Sequence, residues 1–202
     1  VRRVSAWTAR HRHRTPLGLF QRSYRNPRIA EDLRALIARW QPDVVHVQHL
    51  KDLSAEALSI AHGAGCPIVY TLNDYWGLCP NAQFVRPGGG ICRGPHLWLE
   101  CGRCAAYRLG HPSLSAAAPA MIPLFADRAR LLRSEMTQVD LFLAPSHFLR
   151  DRYVAGGYPA EQFRVLEYGL DARRLAGGLR AREGLRRHYA YVGSLAWQKG
   201  VH

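Results

Sequence analysis

Lysine is nearly missing from this chain. Of its 28 cationic residues only Lys51 and Lys199 are lysine, and the other 26 are arginine. Acidic residues are also few, 15 against 28, which leaves a formal net charge of +13. A surface this basic favours anionic partners such as phosphate groups, anionic lipid headgroups or nucleic acid. The arginines are scattered rather than gathered into a stripe, which suits a generally basic solvated surface equally well. Long apolar runs are missing too. None approaches the roughly eighteen residues of a membrane helix. The N-terminal stretch VRRVSAWTARHRHR lacks the apolar core of a secretory signal, so export is not expected. It lacks an initiator Met, and Gly200-Val201-His202 falls where a new element begins, so the expectation is a fragment of a longer protein. Hydrophobic content is nevertheless 48%, ample for a globular core.

Helical and strand-like segments alternate along the chain. Asn26-Pro27 reads as an N-cap followed by the first helical residue. Ile29, Leu33, Leu36, Ile37 and Trp40 then recur at helical spacing and predict an amphipathic helix to about Trp40. Val44 to Val47 is a short β-branched run and reads as a buried strand. Ser54 is placed to cap a helix through His62, ended by Gly63 and Gly65. Pro67 to Leu72 is the next strand, followed much later by a helix from about Pro123, a strand over 140–144, a short helix capped by Ser146 and a strand over 163–166. Such alternation with short connections predicts an α/β fold with a Rossmann-like parallel sheet and helices on both faces. Residues 172–188 read as a linker, and Tyr189 to Val192 as the start of a further strand before Gly193.

The stretch from 73 to 119 breaks the rhythm. It opens with Asn73-Asp74-Tyr75-Trp76 at the carboxyl end of a strand, where open α/β sheets place ligands. Four cysteines follow, Cys79, Cys92, Cys101 and Cys104, at C-x12-C-x8-C-x2-C. Two thiols three residues apart can grip one metal ion, and the other two complete a tetrahedral set for a structural zinc. Free or loosely placed thiols, disulfides and an iron–sulfur cluster remain the alternatives. Cys66, just before a strand, reads as a small buried hydrophobe. Five cysteines without an export signal fit a reducing, cytoplasmic setting. A long excursion needs something to organise it.

PDVVHVQHL, PIVYTLNDYWGLCP, LFLAPSHFLRDRYVAGGYPAEQFRVLEYGLD and YVGSLAWQKGV, in this order, resemble family 4 glycosyltransferases of the GT-B fold over residues 40–202. The resemblance implies two Rossmann-like domains facing across a cleft, the first on the acceptor side and the second binding a nucleotide-sugar donor. Residues 1–171 would be the acceptor-side domain without its first strand, 73–119 a Cys-rich insertion, 172–188 the interdomain linker and 189–202 the start of a truncated donor domain. The implied activity is retaining transfer of a sugar, of the hexosyltransferase type, to a carbohydrate or lipid-linked acceptor, as in polysaccharide biosynthesis. No catalytic metal and no nucleic-acid partner are implied, and the fragment alone would be inactive. Peripheral contact with an anionic membrane would suit the basic surface.

The resemblance also assigns residues. The family's usual His-Asp-Tyr is Asn73-Asp74-Tyr75 here, so an imidazole is lost. Asn73 and Tyr75 are the acceptor-binding candidates, and Asp74 is a catalytic candidate; the plain alternative is that Asn73 and Asp74 only cap the strand end. Alternation places His46 and Gln48 on one face of their strand and His49 on the other. His49, nearer the strand end, is the second catalytic candidate, although a satisfied core histidine explains it as well. Lys199 matches a Lys-Gly that contacts the donor diphosphate, where a cation stabilises developing charge. The family's common Arg after the Gly at position 193 is Ser194 here. Gly193, Ser146 and Gly169 complete the donor side, with Ser146 equally an N-cap and Gly169 a turn residue.

Two other classes remain. A basic, zinc-stabilised nucleic-acid-binding module would interleave aromatics with a basic stripe, which this sequence does not do. A different doubly wound enzyme such as an epimerase would need G-x-G-x-x-G after its first strand, and none is visible.

Overall fold

The computed structural model describes residues 15–94, 96–108, 110–176 and 191–193. Four short strands, β1 (Val45–Val47), β2 (Ile68–Thr71), β3 (Leu141–Ala144) and β4 (Phe163–Val165), form one sheet in the order β1-β2-β3-β4. Every neighbouring pair is parallel, with Val47 opposite Tyr70, Thr71 opposite Leu143 and Ala144 opposite Val165. Parallel neighbours require a crossover, and each crossover here holds a helix: α3 (Ala57–Gly63), α5 (Ile122–Met136) and α6 (His147–Ala155). The Rossmann-like α/β sheet expected from the sequence is therefore present. Its strands all end on the same edge, which brings the segments after Val47, Thr71, Ala144 and Val165 together.

Burial explains why these runs became strands. Ile68, Phe142 and Ala144 are fully buried, as is Leu72 just past β2. Phe142 stacks on Phe163 at 4.8 Å and meets Tyr158 edge-on. Helix α2 (Pro27–Trp40) begins with Pro27 after an extended Asn26 and buries Ile29, Ala30 and Ile37. Trp40 does not join that face. It is 58% exposed on the last helical residue, before Gln41 turns left-handed at φ 44°.

Ser54 departs from its expected role. Helix α3 starts three residues later, and the buried Ser54 hydroxyl instead accepts from the Asn26 amide at 3.2 Å and donates to Glu56 at 3.2 Å. It ties the start of α2 to the start of α3. A short helix α1 (Pro16–Arg22) stands where the sequence shows no period; Thr15 caps it by accepting from the Gly18 amide. It exists because its one aromatic, Phe20, seats against Tyr24 and Phe125 at 5.5 and 5.1 Å. Of the segment read as a linker, Ala172–Ala176 forms helix α7, and 177–188 lie outside the described residues. Residues 191–193 are irregular.

The Cys-rich excursion carries structure of its own. Helix α4 (Leu99–Arg108) holds Cys101 and Cys104, and a 3-10 segment, Pro112–Met121, lies against it. Gly102 permits the approach, because a Cβ there would stand 2.8 Å from the Ala118 Cβ and 2.9 Å from the Ala118 carbonyl oxygen. Among the described residues no helix is long and apolar enough to cross a membrane.

Gly102→Ala is expected to destabilise the fold by about 1–3 kcal/mol through overpacking, despite alanine's better helix propensity. Gly63→Ala at the end of α3, where a Cβ meets nothing within 4 Å, should be neutral or stabilising by up to about 1 kcal/mol. Thermal denaturation of the two variants side by side decides the matter; equal midpoints would show that α4 shifts without cost.

Candidate functional site

The exits of β1 and β2 are joined through one carboxylate. Asp74 accepts at Oδ2 from His49 Nε2 at 2.9 Å and at Oδ1 from the Trp76 amide at 2.8 Å. The second bond closes a side-chain turn typical of Asp. The Lys51 amide donates to His49 Nδ1 at 2.9 Å, so that nitrogen presents its lone pair and Nε2 carries the proton given to Asp74. Burial alone would push the Asp74 carboxyl up. The hydrogen bonds from His49 and Trp76, with the nearby Lys51 charge, outweigh it and hold the carboxyl below its ordinary value. The structure thus brings the two catalytic candidates, His49 and Asp74, into direct contact, with both ring nitrogens and both carboxylate oxygens engaged.

Beside this pair lies a row of polar side chains. His46 Nε2 is 2.8 Å from Thr71 Oγ1 and 2.9 Å from Gln48 Nε2. Asn73 Nδ2 donates to the Gln48 carbonyl at 2.7 Å, and Asn73 Oδ1 accepts from the Tyr168 hydroxyl. His46, Gln48, Asn73 and Tyr168 are exposed. Strand alternation does put His46 and Gln48 on one face, and that face carries the open hydrogen-bonding groups. Imidazole, amide and phenol together offer both donors and acceptors, the chemistry that suits a polyhydroxylated ligand.

Two long-range contacts hold the turn after β2. From α6, the buried Tyr153 donates its hydroxyl proton to the Asp74 carbonyl at 3.0 Å and accepts from the Gly77 amide at 3.2 Å. From α5, Arg128 donates to the Trp76 carbonyl, with its guanidinium 5.2 Å from the Trp76 ring centre. Trp76 is buried and lies 5.8 Å from the His49 ring. Gly77 is required by crowding: a Cβ would come within 2.9 Å of Met136 Sδ and the Tyr153 ring. Sequence reasoning selected none of Tyr153, Arg128 and Trp76 as site residues. The available signal was Arg128 itself, a cation on the apolar stripe that Phe125, Leu132 and Met136 mark on α5.

The remaining candidates are dispersed. Tyr75 sets its ring edge-on to Phe84 of the excursion at 5.1 Å. Ser146 caps α6, accepting from the Leu149 amide at 3.3 Å. Gly169 is exposed after β4, has no left-handed backbone and no neighbour near a would-be Cβ, so geometry does not demand glycine there. Gly193 is exposed in the short segment 191–193, and Lys199 lies outside the described residues.

Cys79, Cys92, Cys101 and Cys104 line a single cavity of about 890 Å³ whose walls include Phe20, Leu124 and Phe125. All five cysteines are free, and Cys66 is buried with its thiol donating to the Pro42 carbonyl. Burial, then proximity to Cys79, Cys92 and Cys104, pushes the Cys101 thiol up to about 12. Arg128 is lowered to about 10 by burial, with Cys79 the strongest opposing influence. Among the described residues, no group of three or more His, Cys, Asp or Glu side chains is arranged to hold a metal ion as it stands.

A family model described as Glycosyltransferase Family 4 matches residues 5–174. No curated protein and no solved structure matches the chain. The family match spans most of the 202 residues and covers the whole four-stranded sheet with the polar groups at its carboxyl edge. The chain belongs to glycosyltransferase family 4.

Proposed function

We propose that this chain is the acceptor-side domain of a retaining glycosyltransferase, which moves a sugar from a nucleotide-sugar donor to a carbohydrate or lipid-linked acceptor. The observation that carries the reading is the exposed row His46, Gln48 and Asn73 at the carboxyl edge of a parallel sheet, in a chain of this family. These groups would bind acceptor hydroxyls. The His49–Asp74 pair beneath them would orient the row, and would have to give up a hydrogen bond before moving a proton. Tyr75 would contribute through its packing on the excursion.

A second, donor-binding domain would cover the same edge. Phe148, Leu166, Tyr168 and Leu170 support this: they follow β3 and β4 and are 63%, 61%, 65% and 82% exposed, a concentration of apolar surface that suits a partner domain. Lys199, with Gly193, Gly169 and the amino end of α6 at Ser146, would face the donor diphosphate, where cations and free amides stabilise the leaving group. The chain alone would not turn over. The basic surface would hold the enzyme against an anionic membrane, where lipid-linked acceptors reside.

In the full-length protein, Gln48→Ala and Asn73→Ala should each raise the acceptor KM by about fivefold, the worth of roughly one hydrogen bond, with the donor KM unchanged. Product NMR should show retained anomeric configuration. Steeply salt-dependent binding of random duplex DNA without any sugar transfer would replace this reading by a nucleic-acid module.

Asp74→Asn tests the tie between strand exits. The folded carboxyl is depressed, so its contribution is present above the unfolded value of about 3.9 and is lost as pH falls through the lower folded value. The variant should be less stable at pH 7 by about 1 kcal/mol, solvent screening keeping the figure low. Urea denaturation should show the gap narrowing as pH falls below the unfolded value; a gap independent of pH would mean the carboxylate charge contributes nothing.

Sedimentation with anionic vesicles at low salt should carry the full-length protein down, and neutral vesicles should not. Equal behaviour with both would remove the membrane contact.

A further inference from the structure

The four cysteines of the excursion come from three separate places. Cys79 follows the turn after β2, Cys92 lies in irregular chain, and Cys101 and Cys104 stand one turn apart on α4. Folding brings all four into the lining of one cavity. Between Leu78 and Gly94 the only ladder contact is an isolated bridge from Val85 to Ile91, so regular structure does little to fix this part of the chain.

A second observation comes from α5, where Arg128 stands one turn beyond Phe125, a residue of the cavity lining. Arg128 is 1% exposed, and its Nε has no hydrogen-bond partner. The ion pairs among the described residues are Arg25–Asp127, Arg103–Glu100, Arg150–Asp151 and His49–Asp74, so no carboxylate answers the buried guanidinium. A lone buried charge costs several kcal/mol. The ionisable group acting on it most strongly is Cys79. Neutral thiols would not balance a cation, whereas thiolates would.

We propose that Cys79, Cys92, Cys101 and Cys104 bind one zinc ion as four thiolates, with Arg128 as the buried countercharge. Binding replaces four S–H bonds by four Zn–S bonds and releases four protons to solvent. The resulting centre carries two negative charges, and the guanidinium offsets one of them. Four sulfur ligands suit zinc and leave no position open for water, so the ion is structural. The thiols do not converge on a point as they stand. Cys92, which now donates to the Gly94 carbonyl at 3.4 Å, and Cys79 both lie outside helices and strands, so drawing them onto the ion would break no helix or strand. Because Arg128 also donates to the Trp76 carbonyl, the ion would brace the turn that holds Asp74. This inference stands independently of the sugar-transfer reading.

Elemental analysis of the purified chain should find about one zinc per molecule. Cobalt(II) in its place should give the thiolate charge-transfer and ligand-field absorption of a tetrahedral sulfur site. Cys92→Ser and Cys101→Ser should lose the metal, and Cys66→Ser should keep it. Arg128→Met, checked for folding by circular dichroism, should lose about tenfold or more in zinc affinity, as other supporting residues around metals do. Should the cysteine variants fail to fold, EDTA treatment of the unaltered chain must release zinc and expose four further thiols to a thiol reagent. The proposal is overturned by absence of metal with four reactive thiols in the native chain. Zinc retained in both serine variants, a mass deficit from disulfides, or iron with visible absorption would overturn it equally.

Discussion

The carboxylate of Asp74 is the point on which the functional edge of this domain depends. Two parallel strands end side by side, and nothing in a parallel ladder dictates where the chain goes next. Asp74 settles it by accepting one hydrogen bond from His49 on the neighbouring exit and one from the Trp76 amide on its own. Tyr153 and Arg128 then fix the carbonyls on either side. With both oxygens engaged, Asp74 is built to hold position, and the groups left open to solvent are those of His46, Gln48 and Asn73.

The same turn is where sheet and excursion meet. Trp76 is buried, 5.8 Å from the His49 ring and 5.2 Å from the Arg128 guanidinium, and Cys79 follows three residues later. A change in the excursion therefore reaches the strand exits through Trp76 and also through Tyr75, whose ring meets Phe84 and whose amide donates to the Ala82 carbonyl. The uncompensated charge of Arg128 makes that link sensitive to whatever anionic group stands in the adjoining cavity.

The sheet was legible because buried parallel strands are nearly continuous apolar runs, and Pro67 to Leu72 or Leu141 to Ala144 are such runs between polar or Gly/Pro punctuation. Ser146 was legible for a local reason, since an N-cap needs only the amides just ahead of it. Helix α1 carried the same kind of cap at Thr15-Pro16 but is too short to show a period, and its stability comes from Phe20 meeting Phe125 far along the chain. Contacts of that range also hid the site's supports: Arg128 reaches Trp76 across 52 residues and Tyr153 reaches Asp74 across 79. Alternation correctly separated the two histidine faces, but periodicity says nothing about which face meets a carboxylate. Lys199 and most of the segment after α7 fall outside the described residues, so the donor side rests on motif alone.

The Tyr168 hydroxyl, three residues past the last strand, reaches back across the sheet to Asn73. The segment that follows β4 is thereby moored to the side-chain amide of Asn73 at the exit of β2. Any swing of the segment from Leu166 to Asp171 must either carry Asn73 with it or let it go. The position of that segment is thus tied, through one phenol, to the exit of β2. Displacing the segment and freeing the Asn73 amide oxygen would be one event.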